Sequence, residues 1–404
     1  MRILYINTLY DPYLFGGAEK VLQAQVEAMR DAGHDVAVLT IGSEAGLHRT
    51  VVNRVPVCRV GIENIYFHFD ELNGRQAGAV RHAVWHLRDS YNPPMGEWVS
   101  TVAKDFEPDV ACCHNLAGWS VSAWDALAQL GVPIVQVLHD QYFLCARSNM
   151  FRRGQCCTTV CNSCRMLRLP HRRKSVQVDT LVGVSDFIVK KVTEHGYFRG
   201  VRSIRTIPNI LDVSAEALSA TPRPDDGQVI FGYIGRLCPE KGVELLLKAF
   251  VATKKKGWRL RIAGNGESSY EARLKSEFRD PDIAFLGRVS PSDFFPSVDF
   301  TVIPSLWEDT FPSVAFESIL YGVPVLGSNI GGIPEIVNSG NGMLFKSGNL
   351  PHILQTLELA ANRLGTFKDR FLSIREGAAR FRDKDQWLKQ WSDVYASAID
   401  RRTS

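Results

Sequence analysis

Nowhere in the 404 residues do apolar side chains run for anything near 18 positions without a break, which excludes a membrane-spanning helix. The opening segment, Met1-Arg2-Ile3-Leu4-Tyr5-Ile6-Asn7, has too short an apolar run for a secretory leader and reads as a buried strand. A cytoplasmic protein is therefore expected. A strong excess of one charge is also lacking, since 47 Lys and Arg face 43 Asp and Glu; that leaves no general affinity for nucleic acid. Missing too is the Gly-x-Gly-x-x-Gly turn of dinucleotide-binding sheets, and no acid ends the second strand, which argues against a dinucleotide cofactor. Acids are absent altogether from one stretch. Gln141 to Val178 holds eight of the cations (Arg147, Arg152, Arg153, Arg165, Arg168, Arg172, Arg173 and Lys174) and no Asp or Glu.

What is present is the composition of an ordinary globular protein, 45% hydrophobic and 22% charged, on a chain long enough for two or three domains. The first half opens strand, Gly-rich turn, helix, strand: Ile3 to Ile6, a loop closing on Gly16-Gly17-Ala18-Glu19, helical spacing at Ala18, Leu22, Val26 and Met29, then Val36 to Thr40. Val51 to Val60 reads as one strand, and Ile62 to Met95, aromatic and His-rich, has no clear pattern. Two short apolar strands, Asp109 to His114 and Ile134 to His139, each end in a His at the carboxyl end, where ligands of open parallel sheets sit. Thr180 to Ser185 is the last clear strand before a polar, turn-rich linker around Thr221 to Gln228. The second half repeats the grammar with Val229 to Ile234, a turn, and a helix from Val243. Near the end, Trp387, Trp391 and Tyr395 fall on one helical face that must be buried.

The richest stretch is Pro304 to Pro324. An apolar strand, Phe300 to Ile303, runs into a loop carrying Glu308, Asp309 and Thr310, then a helix with Thr310 as expected N-cap and Pro312 in the first turn. Unpaired amides at such a helix start suit phosphate, and the carboxylates Asp309 and Glu317 suit sugar hydroxyls. Upstream, Gly235-Arg236-Leu237-Cys238-Pro239-Glu240-Lys241-Gly242 sets two cations before a helix, placed to pair with a diphosphate.

Asp309, seven intervening residues and Glu317 resemble the acid-x7-acid signature of retaining glycosyltransferases of family 4, with Asp where the first Glu is usual. Residues 235–242 match that family's Gly-Arg-Leu-x-x-x-Lys-Gly, Gly16 to Glu19 its Gly-Gly-x-Glu loop, and Leu138-His139-Asp140 its sugar-pocket motif. The resemblance implies the GT-B architecture, two doubly wound α/β domains facing across a cleft. Its acceptor domain would span 1–208, with an insert at about 141–178. A linker at 209–228, a nucleotide-sugar domain at 229–383 and a closing helix at 384–404, crossing back to the first domain, would follow. It implies catalytic roles for Arg236, Lys241, Asp309, Glu317 and His139. Donor contacts are implied for Gly16, Gly17, Gly235, Gly264, Arg288, Val289, Thr310, Phe311, Pro312 and Ser313, and an acceptor pocket for His114 and Asp140. The function implied is sugar transfer from a nucleoside-diphosphate sugar, UDP or GDP, to a glycan or lipid-linked acceptor in polysaccharide or glycolipid assembly, without a catalytic cofactor. An epimerase or phosphorylase of the same fold, or a non-catalytic metal-containing docking protein, are the competing readings.

The basic insert also holds five of the nine cysteines. Cys161-x-x-Cys164 has metal-knuckle spacing, with Cys145 and Cys156 (or Cys157) completing a set. Structural zinc, another metal or cluster, and free or disulfide-forming thiols all stay open. The eight cations suit either an anionic membrane surface on the inner face or a solvated loop.

Overall fold

The computed structural model describes residues 1–13, 16–67, 78–210, 219–253 and 255–403. The chain divides into two compact units: Met1–Asn149 with Thr159–Pro208 and Lys384–Ser404, and Met150–Thr158 with Asn209–Asp383. Part of the expected linker, 211–218, lies outside the described residues.

The first unit is built on strands β1 (Arg2–Ile6), β2 (Asp35–Gly42), β3 (Leu47–Val52), β4 (Val55–Gly61), β5 (Val110–Cys113) and β6 (Ile134–Leu138). The second unit's hairpin strands, β7 (Phe151–Arg152) and β8 (Gln155–Cys156), come next in the chain, before the first unit's β9 (Thr180–Gly183) and β10 (Ser203–Thr206). The eight first-unit strands form one sheet in the order β10-β9-β6-β5-β1-β2-β4-β3, parallel except for the β3/β4 pair. Ile3 to Ile6 are fully buried, as expected where helices cover both faces of a parallel sheet.

The single strand expected over Val51 to Val60 is instead the β3/β4 hairpin. Its turn sits at Asn53 and Arg54, both at positive φ, the geometry of a two-residue hairpin turn. Arg in place of Gly at the second turn position hid that signal. β10, Ser-Ile-Arg-Thr on the sheet edge, adds to that sheet unannounced, because it has one apolar residue, itself exposed, and carries no alternating apolar pattern. The unpatterned stretch resolves into helices Ala79–Ser90 and Pro93–Phe106, the second starting on the Pro93-Pro94 pair; residues 68–77 lie outside the described residues.

Helix Lys384–Thr403 packs on the first unit. Trp387, Trp391 and Tyr395 are buried, the Tyr395 hydroxyl accepts from Gln25 Nε2 at 2.7 Å, and Trp387 Nε1 donates to the Pro208 carbonyl at 3.1 Å.

The second unit carries β11 (Val229–Ile234), β12 (Trp258–Ala263), β13 (Ile283–Gly287), β14 (Phe300–Ile303), β15 (Val325–Ser328) and β16 (Gly342–Phe345). These six parallel strands run β13-β12-β11-β14-β15-β16. That is the doubly wound 3-2-1-4-5-6 order, whose direction reverses between β11 and β14; ligands bind outside the carboxyl ends at such a point. In the first unit the reversal lies between β1 and β5. No helix among the described residues is long and apolar enough to cross a membrane.

Candidate active site

At the second unit's switch point, β11 delivers Gly235 and Arg236 and β14 delivers the loop 304–312. The two are held together by backbone. Leu306 N–H donates to the Glu240 carbonyl at 2.9 Å, and Gly242, at φ 71°, lies so close that a Cβ there would sit 1.9 Å from the Pro304 carbonyl oxygen. Only glycine fits that approach. Gly264 plays the same part on the other side, its absent Cβ 1.9 Å from the Gly235 oxygen.

This packing brings Lys241 Nζ to 2.5 Å from Asp309 Oδ2 and 5.3 Å from the centre of the Trp307 ring. Asp309, and not Glu308, is thus the acid that Lys241 takes. Arg236, about half exposed, meets Glu240 at 3.3 Å, and its carbonyl accepts from the Tyr233 hydroxyl at 2.7 Å. Gly332 N–H donates to the Asp309 carbonyl at 2.7 Å, so the acid is fixed through its backbone as well.

The helix begins later than expected. It spans Ser313–Leu320, with Pro312 and not Thr310 as its N-cap. Phe311 explains the delay: it is buried against Phe316 and Phe381, which holds Thr310 and Phe311 in a bend ahead of the helix. In the first turn the Ala315 amide donates to the Pro312 carbonyl at 3.1 Å, and a helix start leaves its leading amides without partners in the turn before. Ser313 is exposed there, and Glu317, one turn in, is half-buried. Arg288 (exposed) and Val289 (half-buried) follow β13.

At the first unit's switch point, β5 ends in His114 and its neighbour β6 in His139 and Asp140. His114 Nδ1 and His139 Nε2 are 2.8 Å apart, with rings stacked 18° from parallel. One ring nitrogen must donate and the other accept, so at least one ring is neutral. Burial lowers both pKa values, that of His139 to about 4. Asp140, with Asn115, Tyr142 and both His, lines a small pocket. Burial pushes its carboxyl up to about 7, against the pull of the Tyr142 amide at 2.7 Å and of Arg168, and with a push from the negative charge of Glu19.

Gly16 caps helix Gly17–Asp31, and its amide donates to the Glu19 carboxylate at 2.8 Å. Glu19 and Arg168 are therefore site residues that sequence reasoning passed over. The Gly-Gly-x-Glu loop held the signal for Glu19. Arg168 held none, because its partner Asp89 is 79 positions away: the two are wholly buried and 3.1 Å apart, with the guanidinium over the Tyr142 ring.

The Cys145 and Cys164 thiols lie 3.9 Å apart, Cys161 meets the Ser163 hydroxyl at 3.3 Å, and the Cys156 thiol donates to the Leu306 carbonyl at 3.1 Å. Among the described residues no three His, Cys, Asp or Glu side chains gather so as to hold a metal ion, short of the four ligands of a structural zinc. A larger cavity, lined by Arg223, Asp299 and Lys368, lies at the amino end of β14, opposite the end where ligands of such sheets bind.

Residues 16–209 match the family model described as glycosyl transferase 4-like domain and 228–361 the model described as glycosyl transferases group 1, between them most of the chain. A 42.6 kDa protein of the cps region of Klebsiella pneumoniae is 29% identical over 336 residues, 83% of this chain and 87% of that one. A GDP-mannose-dependent alpha-mannosyltransferase of Corynebacterium glutamicum is 26% identical over 366 residues, 85% and 76% of the two chains. Among solved structures, sucrose-phosphate synthase from Thermosynechococcus elongatus superposes with a TM-score of 0.77 at 15% identity, covering 99% of both chains. Anabaena HepE, in complex with UDP and glucose, gives 0.67 at 18% identity over 98% and 99%. These structural neighbours share the GT-B fold.

Proposed function

Because the chain belongs to the glycosyltransferases, we propose that it moves a sugar from a nucleoside-diphosphate sugar to a glycan or lipid-linked acceptor, with retention of anomeric configuration, in polysaccharide or glycolipid assembly. The observation that carries this reading is the Lys241–Asp309 pair beside the start of helix Ser313–Leu320, at the switch point of the second unit.

The bond that breaks joins the anomeric carbon to a phosphate oxygen, and its cost is the charge left on the diphosphate. Lys241, Arg236 and the first-turn amides neutralise that charge. Asp309 anchors Lys241 and offers its remaining lone pairs to the sugar hydroxyls; Glu317 holds the ribose. The acceptor hydroxyl attacks on the face the phosphate leaves, and a phosphate oxygen takes its proton, so no protein base and no cofactor enters the transfer. His139 and Asp140 line the acceptor side, where neutral groups hydrogen-bond neutral hydroxyls. UDP and GDP are the favoured nucleotides, in keeping with the relatives named above. A lipid-linked acceptor would make this a peripheral enzyme of the inner membrane face.

The test is a thermal-shift screen against UDP-, GDP-, ADP- and TDP-sugars on wild type and Lys241→Ala. One nucleotide is expected to stabilise wild type and not the variant. No shift with any donor overturns the reading, and turnover of a donor without acceptor would point to an epimerase.

A further inference from the structure

Helix Ala79–Ser90 buries Trp85, His86 and Asp89 and leaves Val80, Val84 and Leu87 in water, at spacings of four and three on one face. Val80 is 77% and Leu87 61% exposed. The two short helices of the basic insert, Asn162–Leu167 and Leu169–Lys174, pack beside it and add Met166, 67% exposed, and Leu169. The buried Asp89–Arg168 ion pair and a bond of 2.5 Å from the Ser90 hydroxyl to the Leu167 carbonyl clamp these segments together. Five aliphatic side chains thus stand out of one small region of the first unit. A cluster of that kind marks an interaction surface rather than scattered exposure.

Its charge says what it meets. Arg81, Arg88, Arg165, Arg172 and Arg173 are all exposed on the same segments. The only acid in 78–92 or 159–178 is Asp89, which is buried and neutralised by Arg168. Aliphatic side chains flanked by arginines, with no exposed carboxylate, match a bilayer interface carrying anionic headgroups. A nucleic acid would call for aromatic platforms, and a second copy on the same face would bring arginine against arginine.

We propose that this face, helix Ala79–Ser90 with the insert helices, docks the protein on an anionic phospholipid surface. The proposal deepens the lipid-linked reading of the acceptor and rests on it for its purpose, but its test uses neither donor nor acceptor. Full-length protein is sedimented with phosphatidylcholine vesicles with and without phosphatidylglycerol, beside Leu87→Glu/Met166→Glu and Arg88→Glu/Arg165→Glu variants. All four positions are exposed, and unchanged thermal unfolding verifies the fold.

Wild type is expected to bind only the anionic vesicles. Each double variant should lose binding by about ten-fold or more, as the burial of two aliphatic side chains or the attraction of two cations would require. High salt should release wild type. Equal sedimentation with neutral vesicles, no sedimentation with either, or undiminished binding by both variants overturns the proposal. So does a wild-type dimer that Leu87→Glu/Met166→Glu converts to monomer, which would assign the face to a second copy.

Discussion

At the carboxyl ends of β11 and β14 the chain sets two cations, each against a carboxylate and partly open to water. At the carboxyl ends of β5 and β6 it sets two stacked imidazoles and a carboxyl that burial holds up to about 7. Both places are switch points of parallel sheets, so topology alone does not decide their chemistry. The difference lies in which charged partners each group has to set against its desolvation. In the second unit each cation has a carboxylate within 3.3 Å, and both cations reach water, as a site for a leaving diphosphate requires. In the first, burial outweighs the neighbouring charges and drives the groups towards neutrality. That suits the recognition of uncharged hydroxyls.

The sharpest way to break this contrast is Lys241→Ala. It should lower kcat at saturating donor by 10²- to 10³-fold, on the order of 3 kcal/mol in the chemical step. The Asp309→Ala change made on top should cost less than it does alone, because Lys241→Ala leaves the Asp309 carboxylate unpaired beside the donor phosphates and its removal relieves that repulsion. Near wild-type turnover in Lys241→Ala would mean that charge at the second switch point is structural only.

Next in size is a pair of glycine replacements, read by thermal unfolding. Gly242→Ala puts a Cβ into the Pro304 carbonyl at positive φ and should destabilise by about 2 kcal/mol. Gly17→Ala, where a Cβ meets nothing within 4 Å, should be neutral or stabilise by up to about 1 kcal/mol. If Gly17 nonetheless approaches the donor phosphate, its variant will keep stability and lose donor affinity. That outcome would give the first unit a share of the anion.

The same contrast decided what could be read from the sequence. The second site was legible because its charged residues come in two short segments, residues 235–242 and 309–317, whose chemistry is local. In the first unit the two His were visible at strand ends, but their environment was not: Asp140 depends on Glu19 and Arg168, which reach it through folding alone. Helix Ala79–Ser90 escaped because apolar and polar residues share both of its sides: Val80, Val84 and Leu87 are exposed beside Arg81 and Arg88, while His86 and Asp89 are buried with Trp85, so no single period stands out. Thr310 was misread as a cap because nothing local foretells that Phe311 is drawn into a cluster with Phe381.

Asp140→Asn tests the solvation argument through pH. A carboxyl whose folded pKa is raised contributes stability in full below its unfolded value, near 4, and loses it as pH rises through about 7. Wild type should therefore become less stable relative to Asp140→Asn between pH 5 and pH 9, by on the order of 2 kcal/mol. His139 works in the opposite sense, since a depressed pKa makes stability fall below pH 6.5 towards about 4. A flat difference between wild type and Asp140→Asn would mean that Asp140 stays ionised, and the contrast between the two switch points would fail.

The smallest effect is also the most specific. Glu19 raises the pKa of Asp140 only while it is charged, and burial raises its own pKa as well, so its influence grows with pH. Glu19→Gln removes that charge but keeps an oxygen to accept from the Gly16 amide, since Gln serves at this helix position as Glu does. Helix Gly17–Asp31 should keep its stability while the Asp140 midpoint, followed by the same pH series, moves down. A midpoint that moves ties the Gly-rich turn electrostatically to the pocket of His114, His139 and Asp140. A midpoint that stays leaves burial alone as the cause, and the first switch point would then hold Asp140 neutral without help from the helix that opens beside it.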